Sequence, residues 1–349
     1  EVDFDYYHKE TRDLLMQTAL PFYSGTSTKI TGSAEPQWAN IGNMSNKGIE
    51  LTLNAHVINK KHLKWKTSLT YSLVRNEVTK LNTESGFIDK TLDYEGTGET
   101  ITRTAVGHSI SQFYGFQVAG RINSAADFLR DNGDGTSTVI AATPNYRVGT
   151  VVSNSSAKAL TTSIGDLLYR DLNGDGIIDD ADKTFLGNGL PAHTFGWNNT
   201  FNWKNWQANV LLRASTGFQR LNTIHHQLSE ITSQSLFVRT REAYYANWDK
   251  VYDKKNAKYA AISNARNNST TRSTKWLEDA DFLRLQNVSV SYTIPKKVTS
   301  ICDIALGVSA QNLFTLTKYS GYDPEVGAST QDSSGLTFGV DNGRYPSPM

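Results

Sequence analysis

The sequence lacks several features that would point to familiar classes of protein. Cys302 is the only cysteine among 349 residues, which excludes an internal disulfide and therefore a disulfide-stapled secreted domain. Lysine and arginine number 35 against 34 aspartates and glutamates, so there is neither a basic field for nucleic acid nor an acidic tail. No run of 18 apolar residues occurs, which excludes a transmembrane helix but not a membrane, because a barrel strand buries only alternate residues in lipid.

The residues that are abundant favour β-structure. Tyrosine (16), phenylalanine (14) and tryptophan (7) are frequent, and 26 glycines accompany only 8 prolines, which suits many strands separated by turns. The chain opens at Glu1 inside what already reads as a strand, without a signal peptide, so we expect it to be a portion of a longer protein.

Alternation of apolar and polar residues predicts three long hairpins. In the first, apolar residues recur at every second position over 49–57, and the pattern resumes over 63–73 after a turn at 59–61. The second joins 195–203 to 206–214 through Lys204 and Asn205. The third joins 288–294 to 304–310 across a turn that begins at Pro295.

Alternation would also suit a soluble β-sandwich, so the choice of a membrane depends on other features. The strands exceed the usual globular length, and aromatic residues such as Trp65, Trp197 and Trp203 lie on their apolar faces. Short turns alternate with long polar segments at 17–46, 79–190, 218–280 and 317–345, as in outer-membrane barrels. The sequence therefore predicts an all-β, antiparallel transmembrane barrel wall with long extracellular loops.

This topology also predicts the environment of each strand face. We expect one set of side chains on the first hairpin to face lipid and the alternate set to face the lumen. The lipid-facing set is Ile49, Leu51, Leu53, Leu63, Trp65, Leu69 and Tyr71, and the lumen-facing set is Glu50, Thr52, Asn54, Lys64 and Lys66. Parity of crossings requires an even number of strands between 78 and 194, where 109–122 could be one arm of an extra hairpin, spanning the membrane or projecting above it. Parity also requires one more strand after Tyr345, and the sequence stops at Met349 without it, so we expect this chain to lack the closing strand.

Several short segments, in order along almost the whole chain, resemble the C-terminal barrel of SusC-like TonB-dependent transporters of Bacteroidota. They are VDFDYY (2–7) leading to DLL (13–15), NKGIEL (46–51), DLNGDG (171–176), FLRLQN (282–287) up to YTIP (292–295), and QNLF (311–314) through YSGYDPE (319–325). The resemblance implies an outer-membrane barrel of about 22 strands with a plugged lumen. It also implies a SusD-like lipoprotein partner, energy from TonB, and import of an oligosaccharide or peptide. Residues 1–349 would then be part of that barrel, without plug domain, TonB box or closing strand.

The segment 171–182 has the spacing of a calcium-binding loop. Oxygen ligands fall at loop positions 1, 3, 5, 9 and 12, a backbone carbonyl falls at position 7, and glycine occupies position 6. The candidate Ca²⁺ ligands are Asp171, Asn173, Asp175, the Ile177 carbonyl, Asp179 and Asp182. An Asp/Asn/Gly turn closed by its own side-chain hydrogen bonds is the alternative interpretation.

Chemistry-bearing motifs of other kinds are missing from the sequence. Gly107-His108-Ser109-Ile110-Ser111 lacks the second glycine of a nucleophile elbow, and His225 and His226 are adjacent rather than spaced for one metal. We therefore expect no enzymatic activity. Besides nutrient import, the sequence leaves open a soluble extracellular binding or scaffold protein with a dockerin-like calcium loop.

Overall fold

The computed structural model describes residues 1–18, 37–83, 85–91, 100–123, 129–131, 137–139, 151–152, 160–161, 165–174, 178–229, 240–259, 273–326 and 335–343. The strands, in chain order, are β1 Val2–Thr18, β2 Gln37–Lys60, β3 Leu63–Leu81, β4 Phe87–Thr91, β5 Thr100–Ala105, β6 Gln112–Gly115, β7 Val118–Arg121, β8 Leu129–Asp131, β9 Ser137–Val139, β10 Val151–Val152, β11 Leu160–Thr161, β12 Leu167–Tyr169, β13 Thr184–Gly187, β14 His193–Trp203, β15 Trp206–Thr216, β16 Gln219–Asn222, β17 Leu277–Asp279, β18 Phe282–Ile294, β19 Ile304–Thr317 and β20 Val340–Asp341. The α-helices are α1 Thr223–Ser229, α2 Arg241–Tyr245 and α3 Lys296–Thr299, and short 3-10 helices span Asp180–Asp182, Lys254–Asn256 and Thr274–Trp276.

Seven of these strands form one antiparallel sheet in the order β1-β2-β3-β14-β15-β18-β19. The three predicted hairpins are its β2–β3, β14–β15 and β18–β19 pairs. The shortest of the seven strands has 11 residues, which corresponds to about 36 Å of extended chain. Each strand is therefore long enough to cross the roughly 25 Å apolar band of an outer membrane at a tilt.

The register of the sheet collects apolar side chains on one face, which we call the apolar face. One complete row across the seven strands is Phe4, Leu51, Tyr71, Phe195, Ala214, Leu283 and Leu316. The neighbouring row on the opposite, polar face is Asp3, Thr52, Thr70, Gly196, Arg213, Arg284 and Thr315. The predicted grouping of residues 49–71 into two faces is thus confirmed, and it extends over the whole sheet.

The distribution of burial is the reverse of that in a soluble β-sandwich. On the apolar face Phe4 is 63% exposed, Trp197 47% and Leu316 60%. Among the described residues, Val78 and Phe282 are the only buried hydrophobic side chains contributed by the seven strands, and all the others lie in the connections. A sheet whose apolar face stays uncovered while its loops have a core is suited to a hydrocarbon environment.

The two ends of the sheet differ as the sequence predicts. Turns at 61–62, 204–205 and 295–303 are short, and the strand ends that border 19–36, 82–192 and 217–281 are all at the other end of the sheet. The loop predicted over 17–46 is too long, because β1 and β2 stay paired up to Thr18 and Gln37. Backbone pairing needs no apolar face, so the ladder continues where alternation stops.

The predicted arm at 109–122 does not add a strand to the main sheet, since β3 pairs directly with β14. Its strands β6 and β7 belong instead to the long connection, where β6 pairs with β5 and β13 and β7 with β12. The expectation that the chain lacks the closing strand concerns the part after Tyr345, which lies outside the described residues. No helix in the described part of the chain is long and apolar enough to cross a membrane.

Candidate functional site

The long connections fold into a compact structure that we call the cap, made of the described residues within 82–192, 217–281 and 318–343. Its largest core cluster draws on all three connections: Ile101, Phe113, Leu221, Ala243, Tyr259, Trp276 and Val340. The parallel pairing of β16 with β20 joins two of these connections directly. The cap is therefore held together by apolar burial and backbone pairing of its own.

The cap lies over the polar face of the sheet at the end of the long connections. Asn76, on the polar face of β3, accepts hydrogen bonds from the Ser109 hydroxyl at 3.2 Å and the Ile110 amide at 2.9 Å. Two residues further along, the Val78 amide donates to the His108 carbonyl and the Val78 carbonyl accepts from the Gly107 amide. The first long connection thus bends inward over the side where a barrel would have its lumen.

A second attachment, which we call the arginine clasp, fixes residues 323–325 to the same face. Arg213 and Arg284 are directly opposite each other on β15 and β18, an arrangement of like charges that is unfavourable by itself. Glu325 lies between them, 2.8 Å from Arg213 and 2.6 Å from Arg284, and Asp323 is 2.7 Å from the second guanidinium nitrogen of Arg284. Because the Arg284 side chain is only 7% exposed, these carboxylates supply the negative charge that its burial requires.

The cap contains a cavity of about 380 Å³. Its lining comes from β16, α1, the start of α2, Tyr259, the segment after β19, and β20: Asn222, Ile224, His225, Leu228, Thr240, Glu242, Tyr259, Ser320, Gly321, Tyr322 and Asp341. Volume in this range is typical of small-ligand sites in proteins.

Glu278 organises one wall of this cavity. Its Oε1 accepts from His225 Nδ1 at 2.9 Å, Asn222 Nδ2 at 3.1 Å and the Ser320 hydroxyl at 2.8 Å. The other ring nitrogen of His225 is 3.1 Å from the Tyr259 hydroxyl. Burial acts to raise the pKa of Glu278, but the hydrogen bonds from His225 and Ser320 outweigh it, so the pKa lies below its ordinary value and the carboxylate stays ionised. Burial also raises the pKa of Tyr259, which stays protonated.

The floor of the cap is fixed by a buried arginine. Arg220 on β16 donates to the carbonyls of Pro324 at 2.9 Å and Gly189 at 2.5 Å, which ties the segment of the arginine clasp to the connection before β14. Burial lowers the pKa of Arg220 to about 10, still far above neutrality, so it remains charged. Asp341, which lines the cavity nearby, accepts from the Tyr319 hydroxyl and from the Gly343 amide.

Four of the six predicted calcium ligands lie within the described residues, and Asp175 and Ile177 lie outside them. Asp182 is fully buried, and its carboxylate accepts from the amides of Leu172 at 2.7 Å and Asp179 at 2.9 Å. The amides of Leu172 and Asp179, at loop positions 2 and 9, therefore both contact the carboxylate at position 12. A loop closed around a cation and a turn closed by its own side chains both bring these positions together. No group of three or more histidine, cysteine or acidic side chains in the described part is arranged to hold a metal, and the calcium site stays a prediction.

Sequence reasoning assigned no role to the residues that fix the cap. Arg284 occurs in the segment FLRLQN, and Asp323 and Glu325 occur in YSGYDPE, two of the segments that resemble SusC-like transporters. Their pairing depends on strand register and on the fold of the chain after β19, which brings residues 39 and 41 positions apart into contact. His225, considered only as a poor metal ligand, is instead the centre of a hydrogen-bonded wall. The signal that could have indicated the clasp is an arginine at the outer end of two neighbouring predicted strands.

Together, the uncovered apolar face, the polar face and the inward-folded cap are the architecture of an outer-membrane β-barrel wall with its outer mouth. Known proteins narrow this class. No family model matches the sequence. The chain is 30% identical to TonB-dependent receptor P3 of Formosa agariphila and 23% identical to TonB-dependent receptor SusC of Bacteroides thetaiotaomicron, in each case over 99% of its length. It covers 31% and 29% of those proteins, so it spans about a third of the curated relatives it matches.

Solved structures agree with these relatives. The chain superposes on a protein chain in the structure of the RagAB peptide transporter with a TM-score of 0.68 and 19% sequence identity. The match covers 99% of this chain and 31% of that chain. The predicted resemblance to SusC-like TonB-dependent transporters, the β-barrel fold and the outer-membrane location are confirmed. Because the relatives are receptors and transporters, the expectation that the chain is not an enzyme is confirmed as well.

Proposed function

We propose that this chain forms part of the wall and the extracellular mouth of a TonB-dependent importer of oligosaccharides or peptides. In this proposal residues 1–349 are the C-terminal part of the barrel, and the plug domain, TonB box and closing strand lie elsewhere in the protein. The main observation in support is the complete apolar row from Phe4 to Leu316 on one face of the sheet, together with the cap that folds over the opposite, polar face. The named relatives support TonB as the energy source.

The cap also supports the proposal of a SusD-like lipoprotein partner. Tyr245 is 61% exposed, and Tyr244 and Tyr252 are exposed beside it in chain order, on the part of the molecule that faces outward in this topology. Tyrosine is enriched in protein–protein interfaces because its ring buries a large area at low entropic cost. A lipoprotein resting on the mouth would cover such side chains.

The soluble scaffold alternative is disfavoured by the sheet. A soluble protein rarely leaves a continuous apolar patch larger than a few hundred Å² uncovered. Here exposed apolar side chains extend from β1 to β19, with Val308 79% and Leu306 61% exposed on the last strand.

Import is tested by deleting the gene for the full-length protein and measuring uptake of labelled oligosaccharide and peptide pools. We expect uptake of one pool to be lost, restored by the intact gene, and not restored by a gene without the TonB box. The lipoprotein should co-purify with the intact protein. Unchanged uptake of both pools in the deletion strain would contradict the proposal.

For the loop 171–182 we propose structural Ca²⁺, held by Asp171, Asn173, Asp175, the Ile177 carbonyl, Asp179 and Asp182. Carboxylates crowded into twelve residues repel one another without a cation, so calcium should order the loop. We expect the full-length transporter to resist proteolysis within 171–182 in millimolar calcium and to lose this resistance with chelator. Asp175→Ala should remove the difference. Asp131→Ala should leave it, because Asp131 begins a second sequence of the same kind, DNGDG at 131–135, that has no later ligands. Equal resistance with and without calcium would establish the self-closed turn.

A further inference from the structure

The cavity of the cap has a polar wall whose hydrogen-bonding groups are already engaged with one another. Both Nδ2 hydrogens of Asn222 are used, one toward Glu278 and one toward the Ser320 hydroxyl, and its Oδ1 accepts from the His225 amide. Both ring nitrogens of His225 have partners, and Glu278 accepts at both of its oxygens. Little capacity is left on this wall for the hydroxyl groups of a ligand.

Most of the remaining lining is apolar, and Glu242 adds a carboxylate. Ile224 and Leu228 lie on α1, and Tyr322, also in the lining, is 67% exposed. Glu242, at the start of α2, is 54% exposed and pairs with Lys258 through one carboxylate oxygen, Oε1. Among the described residues none donates a hydrogen bond to its second oxygen, Oε2.

These features select against two kinds of ligand. Recognition of a sugar depends on hydrogen bonds between its hydroxyl groups and free polar side chains, and here the amide, imidazole and buried carboxylates are already paired. An anionic ligand needs an available cation, and the cations near the cavity are already engaged: Lys258 with Glu242, Lys275 with the Lys258 carbonyl, and Arg220 with the Pro324 and Gly189 carbonyls. An apolar group with a cation beside it meets neither obstacle.

We propose that this cavity binds an apolar side chain of a short peptide, with a neighbouring ammonium or guanidinium group placed at the Glu242 carboxylate. The inference rests on the proposed import function and deepens it by naming peptides as the substrate class. The side chain occupies the space beside Ile224 and Leu228, and the Oε2 atom of Glu242 accepts from the cation. The site lies in the cap, above the polar face, where an incoming substrate passes before it enters the barrel.

The test uses the purified full-length transporter and three fluorescent probes: a tetrapeptide of alternating leucine and lysine, the same peptide with glutamate for lysine, and maltohexaose. We expect the basic peptide to bind more tightly than the other two. Leu228→Trp, which fills the cavity, should weaken binding of the basic peptide by roughly tenfold or more, because an apolar side chain of the peptide is no longer buried. Glu242→Gln should weaken it by about two- to fivefold at low salt and have no effect at high salt.

The matched control is Glu10→Gln, since Glu10 is also an exposed carboxylate paired with a cation, Arg12 at 3.1 Å, but lies on β1 away from the cavity. It should leave binding of the basic peptide unchanged. Glu242→Gln alters an exposed position and keeps the inference testable if Leu228→Trp does not fold. The inference is overturned if the two peptides bind with equal affinity, or if Glu242→Gln and Glu10→Gln change the affinity for the basic peptide equally. It is also overturned if Leu228→Trp weakens the binding of maltohexaose and not that of the basic peptide. Import would still stand in each of these cases, because it is judged by loss of uptake in the deletion strain.

Discussion

Replacing Arg284 with methionine is expected to detach residues 323–325 from the sheet. The substitution keeps much of the side-chain volume but removes the charge that pairs with Asp323 and Glu325 and the Nε donor to Thr315. Breaking a buried ion pair from one side costs about 3 to 5 kcal/mol, and the lower end applies because both carboxylates keep some solvent contact. Opening of this segment should become roughly a hundredfold more frequent, measured by amide hydrogen exchange over 319–326 in the full-length protein.

Arg12→Met is the control for this substitution. Arg12 also pairs with a glutamate, but its side chain is 74% exposed, and an exposed pair contributes at most about 1 kcal/mol. Exchange over 319–326 should not change in this variant. If Arg284→Met exchanges no faster than Arg12→Met, the clasp does not hold residues 323–325, and the hydrogen bond from Arg220 to the Pro324 carbonyl holds them instead.

The strands of the sheet could be predicted because one physical rule acts along each of them. A strand between lipid and water must alternate, so positions such as Leu51, Thr52 and Leu53 show their environment in sequence. The same rule gave the turns, since alternation breaks at Lys204 and Asn205 where the chain reverses. It failed over 37–46, where the sequence pattern of the hairpin does not extend but the backbone of β2 still pairs with β1.

The cap could not be predicted in this way, because its contacts join residues far apart in the chain. Phe113, Trp276 and Val340 pack in one cluster, but each comes from a different connection. Trp276 ends a 3-10 helix, and the strands of Phe113 and Val340 are only four and two residues long. Short strands show no reliable period. The cavity likewise depends on Ser320 meeting Glu278, a contact set by register and by the return of the chain after β19.

Replacing Leu53 with lysine is expected to give the largest loss of stability on the membrane-facing side. Leu53 is opposite Val2 and Leu69 on the apolar face, seven residues before the end of β2, roughly 20 Å along the tilted strand from the turn. A lysine on the lipid face near the middle of the bilayer costs about 2 to 4 kcal/mol. The full-length protein in lipid vesicles should unfold at a correspondingly lower denaturant concentration.

Thr52→Lys is the matched control, because Thr52 is the adjacent residue, at almost the same depth but on the polar face between Asp3 and Thr70. Its stability should change little, since the new ammonium meets water and a neighbouring carboxylate instead of hydrocarbon. Cysteines placed at positions 51 to 54 give an independent measurement: a water-soluble maleimide should label 52 and 54 much faster than 51 and 53. Equal labelling at all four positions, or equal losses for the two lysine variants, would mean that the row from Phe4 to Leu316 does not contact lipid. The exposed apolar face would then have to be covered by protein, which is the arrangement that a soluble scaffold requires.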